Sequence, residues 1–119
     1  MKLVTQRQLM RLIDHGLENF LRRDAGKAEM DFWPLIKLFC PWSGATWLIT
    51  ELDPANIDRA FGLCDLGMGS PEIGSVSLTE IMAVRGPGGL KIERDIHFEA
   101  DKTLRAYAEE ARRLGRIKA

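Results

Sequence analysis

Three short apolar segments, "PLIKLFC" (residues 34–40), "ATWLITEL" (45–52) and "RAFGLCDL" (59–66), limit what this chain can fold into more than any other feature. Each is rich in β-formers, and the connections "PWSG" and "DPANID" carry turn chemistry. They read as three antiparallel strands in a meander. A fourth short strand is expected over residues 74–77, after the loop "GMGSPEI".

Helices flank this block. Thr5 and Gln8 form a capping box that opens a helix to about Arg23. Leu9, Ile13, Leu17 and Phe20 make its apolar stripe, widened by Leu12 and Leu21. His15 lies nearly opposite, beside Arg11, Glu18 and Arg22, and is expected to be solvated. "DAGKAEMD" reads as a linker. Further on, Ser77 and Glu80 cap a short helix near residues 78–84. Arg85 suits its C-terminal end, Gly86 can take a left-handed cap, and Pro87 prevents continuation. "LKIERDIHF" (90–98) then extends. Asp101 is expected to cap a last helix with Leu104, Tyr107, Ala111 and Leu114 on one side. The expected fold is α+β: a meander of three to four strands packed with an N-terminal, a short and a C-terminal helix. A length of 119 residues suits one domain, with helix and linker over 1–31, a core over 32–99 and a C-terminal helix with basic tail over 101–119.

Composition narrows the function classes. Hydrophobic content of 45% and charged content of 29% are ordinary soluble values. The N-terminus becomes charged at once and lacks an apolar signal core, so a cytoplasmic protein with no membrane partner is expected. Cys40 and Cys64 have no paired-cysteine spacing, which argues against a zinc site and for reduced, buried thiols. Residues 34–99 hold five Lys and Arg against nine Asp and Glu, whereas 100–119 hold six against three. Generic nucleic-acid binding by the central region is therefore disfavoured, because phosphate contacts need concentrated positive charge.

Candidate site residues fall in two places. In "TELD", Glu51 and Asp53 share a strand face with Trp47 and Ile49, an arrangement able to hold a cation, a metal or a partner's basic side chain. Against this stands a strand end simply decorated by charge. In "RGPGGLKIERDIHF" (85–98), Glu93, Asp95 and His97 share one strand face, and Arg94 interrupts the apolar face opposite. A buried Arg94 needs a carboxylate partner, and Glu51, Glu80 or Asp53 are available. His97 is either a general base or ligand, or a structural hydrogen-bonding residue. Gly67, Gly69 and Gly74 do not make a dinucleotide fingerprint, because Glu72 stands where the third glycine is required.

"WLITELD", "FGLCDLG", "SLTEI" and "VRGPGGLKIERDIHF" together resemble a bacterial family catalogued as domain of unknown function 2958, over roughly Phe32 to Glu99. The resemblance implies genes carried by plasmids, phages and integrated elements, and for some relatives a single-stranded-DNA endonuclease label. It carries no catalytic residues over.

These observations point first to a non-enzymatic module that binds another protein in the service of a mobile element. Its candidate surface is Trp47, Glu51 and Asp53, with Arg85, Arg94, Asp95 and His97. One alternative is a metal-dependent nuclease using Glu51, Asp53, Glu93, Asp95 and His97 to hold a divalent ion and activate water. Another is a nucleic-acid accessory protein acting through Arg112, Arg113, Arg116 and Lys118, with residues 115–119 dispensable for folding. No cofactor or resident metal is expected.

Overall fold

Local sequence sets the element boundaries. The computed structural model describes residues 3–119. Helix α1 (Gln6–Asp24) opens on the full capping box: the Gln8 N–H donates to Thr5 Oγ1 at 3.1 Å and the Thr5 N–H to Gln8 Oε1 at 3.0 Å. Strands β1 (Ile36–Phe39), β2 (Thr46–Asp53), β3 (Asn56–Asp65) and β4 (Glu72–Ser77) follow as a meander. Helix α2 (Leu78–Ala83) is capped by Ser77, whose hydroxyl accepts from the Glu80 N–H. A 3₁₀ turn (Pro87–Gly89), strand β5 (Glu93–Arg94) and helix α3 (Leu104–Leu114) complete the α+β fold. The sheet is antiparallel in the order β4-β3-β2-β1-β5.

The sheet therefore has five strands, not three or four, and the extra one is short. Of residues 90–98, Glu93 and Arg94 alone pair with β1. The chain then turns, because the Asp95 carboxylate accepts the His97 N–H at 2.9 Å and the Asp95 carbonyl accepts the Phe98 N–H. A long strand carrying Glu93, Asp95 and His97 on one face does not form.

Helices cover both faces. Trp47, Ile49 and Leu52 of β2 join Ile36, Leu38 and Ala60 under α1 and α2, where Leu12, Leu78 and Ile81 close the layer. Leu48 and Leu63 face the other way, under Leu104, Tyr107, Ala108 and Ala111 of α3. A central strand covered on both sides reads as an apolar run, which explains "WLIT".

A β-bulge sits in the middle of this strand. Ile49 pairs with Gly62 and Glu51 with Phe61, so Thr50 is the extra residue. Residues directly opposite in an antiparallel pair project to the same side. Glu51 thus follows Phe61, which packs in the α3 layer, while Leu52 follows Ala60 under α1. The expected common face of Trp47, Ile49, Glu51 and Asp53 is broken at Thr50.

Helix α1 is seated differently from the expected stripe. Its buried residues are Leu12, Gly16 and Asn19, with Leu9 and Ile13 half-buried, whereas Leu17, Phe20 and Leu21 face outward. Gly16 decides this: its α-carbon approaches the Leu52 carbonyl so closely that no side chain fits between. At the other end of the chain Thr103, not Asp101, caps α3 by accepting the Ala106 N–H. Asp101 instead accepts the Tyr107 hydroxyl at 3.0 Å. Leu114 is exposed, and Ala108 takes its expected place in the core. Both cysteines are free thiols; Cys40 is buried but Cys64 only half so, and burial pushes the Cys64 thiol up to about 11.

Candidate functional site

The residue most out of keeping with its surroundings is Glu51. It is 8% exposed on the central strand, placed there by the Thr50 bulge. Its Oε2 accepts from Asn19 Nδ2 at 2.8 Å. Asn19, 2% exposed, also accepts the Met30 N–H at 2.7 Å and so clamps the linker after α1 over this end of the sheet. Arg23 and Glu29 make an ion pair at 2.6 Å beside it. Glu51, Arg23 and Glu29 line a cleft of about 340 Å³ with Asp53, Arg59 and Phe61. Glu51 has no basic partner among the described ion pairs.

The electrostatics follow from burial. Desolvation raises the Glu51 carboxyl above its ordinary value, as does the neighbouring Glu29, while the Asn19 hydrogen bond and Arg23 lower it less. A carboxyl raised in the folded state contributes stability that is fully present below its unfolded value of 4.5 and is lost as pH rises through the folded value. At neutral pH the ionised group therefore costs stability. Glu51→Gln, which keeps an oxygen for Asn19, is expected to melt above wild type at neutral pH, with the gap closing below the unfolded value. Calorimetry across that pH range checks this; a lower melting temperature for the variant at neutral pH would mean the carboxylate already has a cationic partner.

His15 belongs to this architecture as a structural residue and is not simply solvated. Its ring stacks on Phe32 with centroids 3.8 Å apart, and Nδ1 lies 2.9 Å from the Thr50 carbonyl. A carbonyl only accepts, so Nδ1 carries the hydrogen. The bulge leaves this carbonyl outside the regular ladder, and the imidazole takes it up.

The other expected site residues disperse. Trp47 is 7% exposed and belongs to the core. Asp53 lines the Glu51 cleft, and its Oδ1 accepts the Ala55 N–H in the β2–β3 turn. Among the described residues Arg94 has no carboxylate partner: its guanidinium, half-buried, donates to the Leu3 carbonyl at 2.8 Å. Asp95 lies 3.6 Å from Lys37 Nζ, and His97 is exposed. Arg85 donates to the Met82 and Val84 carbonyls at the end of α2, as expected of a cation there. Gly86 is not left-handed; Gly88 and Gly89 take positive φ instead.

The five residues of the nuclease reading are consequently split. Glu93 pairs with Phe39, which pairs with Thr46, and Glu51 lies five residues further along β2. Two strand spacings and that rise separate them by roughly 15–20 Å. Among the described residues, no group of three or more His, Cys, Asp or Glu is placed to hold a metal ion. The basic tail is also not free. Ile117 is buried in the α3 layer, and its N–H donates to Asp65 Oδ2 at 3.0 Å.

Asn19, Arg23, Glu29 and Arg59 escaped the sequence reading. One signal was present: Leu12, Gly16 and Asn19 recur at helical spacing, and a small residue with an amide on one face marks close packing with a polar clamp.

Among the described residues, no helix is long and apolar enough to cross a membrane. No curated protein and no solved structure matches the chain. A family model does, and it extends past the resembling core to take in α1, the linker and α3. On that match, over residues 3–118, the chain belongs to the family described as Protein of unknown function (DUF2958).

Proposed function

We propose that the protein is a non-enzymatic interaction module that takes another protein on the outer face of α1. One observation carries this. Met10, Leu17, Phe20 and Leu21 are 54, 44, 48 and 55% exposed on a helix already packed through Leu12, Gly16 and Asn19. The apolar face of α1 is wider than the sheet covers, and these four residues are the part left exposed. The outer stripe amounts to roughly 400 Å², a size at which apolar patches on monomers are commonly functional. The cleft at Glu51 is a second contact, acidic and able to accept a basic side chain. Together with the family resemblance, this describes an accessory of a mobile element acting on a protein in the bacterial cytoplasm.

The test is capture from a bacterial lysate by wild type and by Leu17→Glu/Leu21→Glu, each with and without nuclease, after light scattering has defined the oligomeric state. Both substitutions lie on the outer face, so the melting temperature should hold. The wild type is expected to retain a protein partner through nuclease treatment. The double variant should lose it by about a hundredfold or more, the effect of placing two charges in an apolar contact. Equal capture by the variant, or loss of the partner on nuclease treatment, would refute the reading.

A further inference from the structure

The stretch "RGPGGLKIER" folds into a cavity wall, and its charges are arranged for a ligand. Gly86 closes the loop by donating to the Leu90 carbonyl at 2.8 Å, with Gly88 and Gly89 at positive φ supplying the turn. The Trp42 ring lies against Gly86 where any side chain would sit, so the loop is held from behind. This closure brings Arg85 to the same cavity as Lys91 and Arg94. The cavity measures about 520 Å³, within the usual range for small-molecule sites. Leu3 and Ile92, each 6% exposed, and Met82 give it an apolar lining.

The charge distribution is what singles this cavity out. Residues 34–99 hold five Lys and Arg among nine carboxylates, and three of those five line this one cavity. None of the three makes an ion pair among the described residues. Glu93 is the carboxylate in the lining, and three cations against it leave a net positive charge there. Gathering an excess of like charge is unfavourable unless an anion joins it. The guanidiniums are also preset. Arg85 uses one terminal nitrogen on the Met82 and Val84 carbonyls, and Arg94 uses one on the Leu3 carbonyl. A guanidinium has five N–H donors, so each keeps donors free while its orientation is fixed.

We infer that this cavity binds a small amphiphilic anion, with a carboxylate or phosphate held by Arg85, Lys91 and Arg94 and an apolar body lying on Leu3, Met82 and Ile92. The site is separate from the outer face of α1, and it stands or falls independently of the proposed docking there.

The experiment is titration of the full chain, followed by amide NMR and calorimetry, with octanoate and octyl phosphate as probes. Octanol and octylamine test the charge requirement, and inorganic phosphate tests the apolar one. Either anionic probe, or both, should bind, shift the amides of residues 85–94 and outcompete the neutral and cationic chains; which of the two binds more tightly identifies the headgroup. Arg94→Gln and the exposed Arg85→Gln should each weaken binding about tenfold, the loss of a charge-assisted hydrogen bond. Arg85→Gln keeps the test valid should Arg94→Gln unfold. Binding of octanol or octylamine as tight as the anions, unaltered affinity in the folded variants, or no binding of either anion would overturn the assignment.

Discussion

Gly16→Ala is expected to destabilise the protein by about 3 kcal/mol or more, although alanine is ordinarily the better helix residue. In an exposed helix the same change would gain about 1 kcal/mol, because glycine loses more backbone freedom on folding. Here the added methyl would fall far inside contact distance of the Leu52 carbonyl oxygen and 2.9 Å from its carbon. Neither atom can yield, since Leu52 lies on the central strand between β1 and β3. The helix must lift instead. That would strip the Leu12 packing, the His15 bond to the Thr50 carbonyl and the Asn19 clamp on Glu51 together. Urea unfolding of Gly16→Ala beside the exposed Asp14→Ala measures the effect. A Gly16→Ala protein as stable as wild type would mean that α1 does not sit on β2 as described.

Deleting residues 115–119 is expected to cost about 3–5 kcal/mol, contrary to the reading of this tail as dispensable. Burying an isoleucine is worth about 2 kcal/mol, and Ile117 is 8% exposed in the α3 layer. Its N–H also satisfies Asp65, a carboxylate 1% exposed whose other oxygen holds the Gly67 N–H. Removing the tail orphans half of that carboxylate in the interior, adding about 1–3 kcal/mol. Gly115 makes the path possible: at φ 76 it ends α3 and turns Ile117 back onto the sheet. Arg116→Ala and Lys118→Ala, which remove charge and leave Ile117, should stay within about 0.5 kcal/mol of wild type. Chemical denaturation of the three proteins decides between anchor and appendage, and a truncated chain of wild-type stability would restore the dispensable tail.

What the amino-acid order determined by itself is what neighbours a few residues apart can decide. Thr5 and Gln8 mark the start of α1, and Ser77 starts α2, because a cap bonds within three positions. The apolar runs between "PWSG" and "DPANID" mark the meander because turn residues impose their backbone locally. Arg85 closes α2 for the same reason.

Everything about the site needed a partner from elsewhere in the chain. Whether Glu51 faces with Trp47 or with Phe61 depends on one unpaired residue, Thr50, and so on the register of β3, since a shift of one residue exchanges the faces of a strand. Which part of the apolar face of α1 is buried depends on the Leu52 carbonyl meeting Gly16, a contact that hydropathy ranks below Leu17 and Phe20. Asp95 ended the strand expected through His97 because its carboxylate could reach the backbone two residues on. Arg94 found the Leu3 carbonyl, 91 positions away, where a carboxylate was expected. Periodicity reports how apolar each face of an element is, but burial goes to the face that can approach its neighbour most closely. That contest was settled by backbone shape, which the tertiary structure alone decides.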